Sequence, residues 1–255
     1  MSSPIWTPAA LSSETRVLEG ECWRLVEAQH HVSTLKLVDT LEEQALLEDL
    51  IEESKPRIPP ECRHLDYLLA TPFRYGAPYP TGSRFRWAGY TPGVFYASEV
   101  AETAVAETAF YRLLFYAESP GTPWPATLGE FTAFSAAYAT SRAIDLTGGA
   151  LAEQRAAWTH PTEYEACQAL AEAARAAMIE VIRYQSVRDP EARANLAILA
   201  CSAFAAPAPL ERRTWRMRLG RSGVQAICEY PRAEIEFDRR CFAADPRIAS
   251  LEWER

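Results

Sequence analysis

The stretch GSRFRWAGYTPGVFYASEVAETAVAE, residues 82–107, sets the pattern for the rest of the chain. Its segment GVFYAS (93–98) predicts a strand, and the run VAETAVAETAFYRLLFYA (100–117) predicts a long helix. Four apolar residues share one face of that helix at helical spacing: Ala104, Tyr111, Leu114 and Phe115. Glu107 falls on the same face, so the pattern predicts an ionisable group on the inner side of a buried helix.

The composition predicts a reduced, cytoplasmic, globular protein without membrane contact. A chain of 255 residues suits one large domain or one domain with a decorated terminus, and 48% hydrophobic residues allow a sizeable core. No apolar run is long enough to span a membrane, and MSSPIWTPAALSSETR (1–16) lacks the regions of a signal peptide. The six cysteines are scattered, and three lie in apolar segments, as buried thiols do: Cys167, Cys201 and Cys228.

Residues 14–54 are acidic and are predicted to be helical. The segment TLEEQALLEDLIEES (40–54) opens with a capping box, Thr40 with Glu43, and has an apolar stripe. That stripe needs a partner surface, either the rest of this chain or another chain. The proline-rich KPRIPPE (55–61) is a stiff linker. We therefore divide the chain into an N-terminal helical extension with its linker, 1–65, and a main domain, 66–255.

The main domain is predicted to mix strands and helices. We expect strands in YLLATPFRY (67–75), LGEFTAFSAAYATSRAIDLT (128–147), IEVIRYQS (179–186) and ANLAILACSAF (194–204). The segment GAPYPTGS (76–83) is predicted to be a loop, and PTEYEACQALAEAARAA (161–177) a helix with a Thr162–Glu165 capping box. The segment RTWRMRLGRSGVQAIC (213–228) is predicted to form a hairpin. Ser98 is the predicted cap of the helix that carries Glu107. Short runs joined by hairpins indicate an α+β fold with a mixed or antiparallel sheet and flanking helices.

Several chemistries are excluded by spacing or charge. His30 and His31 are adjacent, Cys62 and His64 are two residues apart, and His160 is isolated, so no zinc-site spacing is present and no metal is predicted. There is no GxGxxG, Walker or GxSxG motif. The formal net charge of −8 disfavours direct nucleic-acid binding but is compatible with a local basic pocket for a small anion.

Two interpretations of Glu107 follow from residue type. In the first, Glu107 belongs to an internal ion pair with Arg74, Arg84 or Arg112, because a buried carboxylate is costly unless it is paired. In the second, it belongs to a binding site. Arg84 and Arg86 follow a Gly/Pro-rich loop, Tyr96 ends a strand, and Ser186 ends another strand beside Arg183 and Arg188. Such basic, aromatic and acidic groups at element ends are typical of binding sites.

At these residues the sequence resembles the RES-domain family of bacterial toxins, named for an arginine, a glutamate and a serine. The family has a G-x-R-[FW] segment, a strand ending in tyrosine, and a small-residue helix with a glutamate; here they stand as GSRF, GVFYAS and ETAVAE. The serine segment is matched by YQSVRD, followed by NLAIL. The resemblance covers about residues 67–205, and the N-terminal helices resemble the extension of longer members.

The resemblance implies an ADP-ribosyltransferase-like fold and NAD+ as substrate. Such proteins cleave the nicotinamide–ribose bond, pass ADP-ribose to water, phosphate or a protein, and are usually neutralised by an antitoxin. It implies that Arg84 holds the diphosphate, that Tyr96 packs on the nicotinamide or ribose, and that Glu107 contacts the ribose. Ser186 would position the nicotinamide end or support the pocket wall.

The resemblance leaves the identity of the family arginine and the activity itself open. The glycine context favours Arg84 as the family arginine, whereas a ten-residue spacing to Tyr96 favours Arg86. Arg86 and Arg74 are the further substrate-binding candidates around the same loop. A non-catalytic module that binds a nucleotide or a protein on the same scaffold is the alternative, and a homo-oligomer is compatible with the sequence.

Overall fold

The computed structural model describes residues 6–28, 34, 35, 37–74, 82–89 and 91–254. Its helices are α1 (Pro8–Ser13), α2 (Leu41–Ser54), α3 (Tyr67–Arg74), α4 (Ala101–Glu118), α5 (Arg155–Trp158), α6 (Glu165–Ala176) and α7 (Pro246–Ala249). Its strands are β1 (Arg16–Glu27), β2 (Phe95–Ser98), β3 (Gly129–Asp145), β4 (Val181–Gln185), β5 (Ala194–Ile198), β6 (Glu211–Gly220), β7 (Gly223–Cys228) and β8 (Ala233–Asp238). Most of the predicted loop 76–83, namely 76–81, lies outside the described residues, as do His30 and His31.

The strands form one mixed sheet in the order β1-β2-β5-β4-β3-β6-β7-β8. Only the β3–β4 pair is parallel among the described pairings. β1 also pairs with β3 along most of its length, and it meets β2 where Trp23 lies opposite Ser98. Five strands, β1, β2, β5, β4 and β3, therefore close into a ring, while β6, β7 and β8 continue from β3 as a hairpin extension. The predicted α+β class with a mixed sheet is confirmed.

Three apolar clusters hold the sheet and helices together. One packs α4 and α7 against β6 and β7, around the buried Trp215 and Phe110. The second draws side chains from all five strands of the ring and from α3. The third packs α1 and α6 against the other side of β4 and β5. Because side chains alternate across a strand, the two faces of β4 and β5 serve different clusters.

The prediction of helix throughout 14–54 is wrong for residues 16–27, which form β1. This strand pairs with β3 from Arg16 opposite Ala143 to Glu27 opposite Phe131. Its partner is more than a hundred residues away, and that long-range pairing overrides a local acidic pattern. Residues 41–54 do form the predicted helix, α2, with the predicted capping box between Thr40 and Glu43. The first 65 residues thus include a strand of the main sheet.

The prediction of a strand in 67–75 is also wrong, because residues 67–74 form α3. Asp66 caps this helix by accepting a hydrogen bond from the Leu68 N–H at 2.9 Å. The buried residues Leu69, Ala70 and Phe73 follow helical spacing and pack into the second cluster. Pro72 lies inside the helix, which is only eight residues long.

The other predicted elements are present, with two differences in helix capping. The strands within 128–147, 179–186 and 194–204 and the hairpin of β6 and β7 are confirmed. The N-cap of α4 is Val100 rather than Ser98, and the N-cap of α6 is Tyr164, so the predicted Thr162–Glu165 box is wrong. Cys167, Cys201 and Cys228 are buried and free, as expected. Within the described ranges, no helix has the length and apolarity required to cross a bilayer.

Gly93, at the entrance to β2, allows the backbone of α3 to approach closely. A Cβ at this position would lie 1.9 Å from the Pro72 carbonyl oxygen. We expect Gly93→Ala to lower the free energy of unfolding by about 1–3 kcal/mol, because the backbone must shift to relieve the overlap. Urea denaturation measures the effect. Gly121→Ala is the matched control, since nothing lies within 4 Å of its Cβ position; equal stabilities of the two variants would contradict this packing.

Candidate active site

Glu107 lies at the border between the buried and exposed faces of α4. Ala104 and Leu114 are buried, but Tyr111 is 55% exposed and Phe115 is 52% exposed. The prediction that all four apolar neighbours face the core is therefore wrong. Glu107 itself is half-buried, so its carboxylate belongs neither to the apolar core nor to the fully solvated surface.

The Glu107 carboxylate is held through one oxygen. Its Oε1 accepts a hydrogen bond from Ser186 Oγ at 2.7 Å and another from Asn195 Nδ2 at 2.6 Å. Within the described part of the chain, Oε2 accepts no hydrogen bond. This asymmetry fixes the orientation of the carboxylate and leaves its second oxygen without a hydrogen bond from the described residues.

The internal ion pair considered for Glu107 does not form with any of the three candidate arginines. Arg112 pairs with Glu27 at 2.6 Å, Arg74 pairs with Glu52 at 2.7 Å, and Arg84 donates to backbone carbonyls. Among the described residues, no cationic nitrogen lies within 4 Å of the Glu107 carboxylate. Arg183 and Arg188, which flank Ser186, pair with Glu99 and Asp245. The carboxylate is thus held by neutral donors.

The Ser186 hydroxyl is oriented by the turn that follows β4. Its Oγ accepts hydrogen bonds from the backbone N–H groups of Arg188, at 3.2 Å, and Asp189, at 3.0 Å. Because the oxygen accepts from both of these donors, its own hydrogen is left to point at Glu107. The structure therefore brings Ser186 into direct contact with the Glu107 carboxylate.

Asn195 is the residue of this cluster that the sequence analysis missed. It lies opposite both Ser98 and Tyr184 in the sheet, and it is buried. Its Oδ1 accepts from Ser98 Oγ at 2.7 Å, which directs the amide nitrogen toward Glu107. A polar residue inside the apolar run ANLAIL was the available signal. Ser98 therefore does not cap α4, although the sequence predicted that it would; it orients the Asn195 amide through this hydrogen bond.

Arg84 is buried and engaged by protein carbonyls. Its Nη1 donates to the Trp158 carbonyl at 2.8 Å and its Nη2 to the His160 carbonyl at 3.0 Å. The guanidinium carbon lies 4.6 Å from the centroid of the Tyr164 ring. These contacts place Arg84 against the segment 158–164, with part of its donor capacity already used.

The Tyr96 hydroxyl attaches the arginine loop to the sheet. It hydrogen-bonds with Ser83 Oγ at 2.8 Å and accepts from the Phe85 N–H at 2.9 Å. Burial raises the pKa of Tyr96 to about 12, so the hydroxyl stays protonated at neutral pH. Tyr96 therefore positions the loop that carries both candidate arginines.

The loop itself is a tight turn in which Ser83 and Arg86 exchange backbone hydrogen bonds of 2.7 and 3.1 Å. Gln168 of α6 donates to the carbonyls of both residues. Gly82 has φ +63°, and a Cβ there would lie 2.8 Å from the Arg86 carbonyl oxygen, which explains the glycine. Arg86 is buried, and its Nε donates to Thr91 Oγ1 at 3.2 Å.

Arg74, the remaining candidate, serves a structural contact. Besides its ion pair with Glu52, its Nε donates to the Pro56 carbonyl at 2.7 Å. These bonds fasten α2 and the linker to α3. Among the described residues, no hydrogen bond connects Arg74 with Glu107, Ser186 or Asn195.

Tyr184 is a buried residue of β4 that lies close enough to Glu107 to feel its charge. Burial, and then the nearby negative charge of Glu107, hold the pKa of the Tyr184 hydroxyl well above its usual value. The ring packs edge-on against Phe85 at a centroid distance of 4.7 Å. The Tyr184 hydroxyl near the Glu107 carboxylate thus stays neutral, like the Ser186 and Asn195 donors. An oriented carboxylate with neutral neighbours can stabilise a developing positive charge. In the described part of the chain, no group of three metal-ligating side chains is present.

Asn195→Asp tests the hydrogen-bonded cluster through its pH dependence. The new carboxyl would face Glu107, and like charges raise the folded-state pKa of such a pair. A raised folded-state pKa means that the destabilisation is absent below about pH 4 and grows as the pH rises. We expect the loss in unfolding free energy to reach about 1–3 kcal/mol at pH 7.

Thermal and urea unfolding across this pH range measures the Asn195→Asp effect. Asn195→Ala is the control, because it removes the amide without adding a charge and should show a deficit that changes little with pH. A flat deficit for both variants would show that residue 195 does not face the Glu107 carboxylate.

Comparison with known proteins assigns the chain to a family. The RES domain family matches residues 56–220, which include Arg84, Tyr96, Glu107, Ser186 and Asn195. No curated protein matches the chain in sequence. Among solved structures, the crystal structure of the M. tuberculosis MbcT–MbcA toxin–antitoxin complex is similar, with a TM-score of 0.46, 12% identity, and coverage of 95% of this chain and 97% of that chain. Since the family match spans more than half of the sequence, the chain belongs to the RES-domain family.

Proposed function

We propose that this protein consumes NAD+ by cleaving the bond between nicotinamide and ribose, and that it acts as the toxin of a toxin–antitoxin pair. The observation that carries the catalytic proposal is the Glu107 carboxylate, which Ser186 and Asn195 orient and which has no cationic partner among the residues that the structure describes. A carboxylate neutralised by an internal arginine would have little effect on a cationic transition state. Membership of the RES-domain family supports NAD+ as the substrate.

The proposed reaction builds positive charge on the ribose as the bond to nicotinamide breaks. Nicotinamide leaves with the bonding electron pair, and the ribose becomes an oxocarbenium ion. The Glu107 carboxylate stabilises that ion through Oε2, because Oε1 is occupied by its two donors. Attack by water then gives ADP-ribose and releases one proton. If phosphate or a protein group attacks instead of water, ADP-ribose is transferred to that group.

The arginine loop is proposed to hold the diphosphate. An arginine has five N–H donors, and the Trp158 and His160 carbonyls occupy only two of those of Arg84. Arg84 and Arg86 together give this loop a positive charge within an acidic chain. Tyr96 contributes by holding the loop in place through Ser83 and Phe85. Arg74 is a weaker candidate than in the sequence analysis, since its contacts fasten α2 to α3.

A non-catalytic binding module is the second candidate. Arg84 and Arg86 are both buried, and Arg84 donates to two backbone carbonyls. These are the contacts of arginines with a structural role, and arginines with that role alone would not support turnover of NAD+. In that case the protein would hold a nucleotide or a protein partner without turnover. Release of free nicotinamide from NAD+ by the purified protein distinguishes the two functions.

Glu107→Gln tests the catalytic role directly. The glutamine oxygen can still accept from Ser186 and Asn195, so we expect the unfolding free energy to change by less than about 1 kcal/mol. Loss of the charge should lower nicotinamide release about 100- to 1,000-fold, with little change in NAD+ affinity. Both quantities are measured on the same preparation.

The matched control for Glu107→Gln is Glu172→Gln, the same substitution on the exposed side of α6. It should retain full turnover. Unchanged turnover in a folded Glu107→Gln variant would contradict the mechanism, and early melting of that variant would make Glu107 a structural residue.

The toxin role predicts that production of the protein alone arrests bacterial growth through loss of NAD+ or modification of a target. Glu107→Gln should relieve the arrest, whereas Glu172→Gln should not. Growth and cellular NAD+ are followed after induction, with protein abundance checked in each culture. Harmless accumulation of a folded protein that cleaves NAD+ in vitro would contradict the toxin role and leave the enzymatic proposal intact.

A further inference from the structure

The C-terminal segment packs along α4, the helix that carries the candidate catalytic glutamate. The Phe242 ring lies 5.9 Å from the Phe110 ring of α4 between centroids, and Ile248 belongs to the same apolar cluster. The helix α7 begins at Asp245, whose side chain caps it. The RES domain match ends at residue 220, so this segment lies beyond the part of the chain that the match covers.

Asp245 is a buried carboxylate with two arginine partners. Its exposed fraction is 0%; Arg247 donates to both of its oxygens, at 3.0 and 2.8 Å, and Arg188 Nη2 lies 3.1 Å from Oδ2. Burial opposes its ionisation, but the hydrogen bonds from Arg247 and the charges of both arginines outweigh burial and hold the pKa of Asp245 below its usual value. The carboxylate is therefore charged at neutral pH.

Of the two arginines, Arg188 is the one that depends on Asp245. The Arg188 side chain is 5% exposed, whereas the Arg247 side chain is 38% exposed and reaches solvent. A buried guanidinium is costly without a counter-charge. Among the residues that the structure describes, Asp245 is the only acidic partner of Arg188.

Arg188 contacts two elements that position the candidate catalytic carboxylate. Its backbone N–H donates at 3.2 Å to Ser186 Oγ, and the Ser186 hydroxyl in turn donates to Glu107. Its guanidinium carbon lies 3.6 Å from the centroid of the Phe110 ring, which is one turn beyond Glu107 on α4. The same side chain therefore packs on the helix of the glutamate and belongs to the turn that orients the serine.

Arg188 also holds the segment 158–164, against which Arg84 lies. Its Nη2 donates to the Pro161 carbonyl at 2.5 Å. Pro161 follows His160, whose carbonyl accepts a hydrogen bond from Arg84, as does the carbonyl of Trp158. A displaced Arg188 guanidinium would therefore remove a support of this segment as well as of the serine turn.

We propose that Asp245 is a positioning residue for the candidate active site and that it acts through Arg188. This inference rests on the proposed cleavage of NAD+, and it gives the segment beyond the RES domain match a part in that reaction. The described contacts of Asp245 include neither Glu107 nor Ser186, so its effect is indirect: its charge holds the Arg188 guanidinium in place. A misplacement of about 1 Å can lower a rate about a hundredfold, so a support of this kind affects turnover strongly.

Asp245→Asn tests the proposal with little change in shape. The asparagine oxygen can still cap α7, but the charge opposite Arg188 is lost. We expect kcat for nicotinamide release to fall about tenfold to a hundredfold, measured well below the melting temperature of the variant. The backbone N–H groups of Arg188 and Asp189, which donate to Ser186 Oγ, should exchange with deuterium about tenfold faster.

Two matched variants separate this role from the general stability of the segment. Arg247→Gln removes the other partner of Asp245, and Asp238→Asn makes the same substitution at an exposed carboxylate that caps a nearby turn. Both should leave kcat and the amide exchange unchanged. Wild-type kcat and exchange in folded Asp245→Asn would overturn the proposal. An equal loss in Arg247→Gln would also overturn it, because the effect would then belong to the stability of α7.

A double variant tests whether Asp245 acts through Arg188. Arg188→Gln should lower kcat by itself, and adding Asp245→Asn should lower it no further, because Asp245 then has no buried cation to hold. Additive losses would overturn the proposal. The double variant leaves no buried guanidinium without a counter-charge, so it should fold even where Asp245→Asn alone does not. Wild-type kcat in the double variant would then overturn the proposal.

The amide exchange keeps this inference distinct from the proposed function, because it is measured without NAD+. A wild-type protein that releases no nicotinamide would contradict the proposed function. Faster exchange at Arg188 and Asp189 in Asp245→Asn would still support the positioning role. Unchanged exchange in that variant would overturn the positioning role whether or not the wild type turns over NAD+.

Discussion

The arrangement of the whole sheet depends on the pairing of β3 along both of its edges. One edge carries β1, from Glu27 opposite Phe131 to Arg16 opposite Ala143. The other edge carries β6 near the start of β3 and β4 in parallel at its end. A strand of 17 residues is long enough to serve all three partners. Because each backbone group in a buried strand needs a hydrogen-bond partner, this double pairing determines where the other strands lie.

The candidate active site follows from that arrangement. β4 and β5 leave Ser186 and Asn195 near one another, and α4 crosses close enough for Glu107 to reach both. Ser98 on β2 orients Asn195, and the turn after β4 orients Ser186. Each group is held by another that is itself buried and hydrogen-bonded. Such a cluster is rigid, which suits a carboxylate that has to be in place before the charge of a transition state develops.

The candidate site could be predicted from sequence in part. Glu107 and Ser186 interrupt patterns that local periodicity otherwise explains, and the family resemblance directed attention to them. Asn195 was missed because a single amide in an apolar strand has no distinctive spacing. The arginine loop was identified, but the engagement of Arg84 by Trp158 and His160 joins segments more than seventy residues apart. No local pattern contains that information.

The sequence alone determined the elements whose signals are local. Four features depend only on neighbouring residues and could therefore be predicted: the length and apolarity of α4, the turn between β6 and β7, the long strand β3 and the capping box of α2. The tertiary structure decided the remaining features. Residues 16–27 form a strand because β3 offers a distant edge, and 67–74 form a helix because Asp66 caps it and its apolar face packs on the ring of strands. Glu107 is half-buried because its face of α4 meets the ends of β4 and β5, an outcome of packing between distant segments.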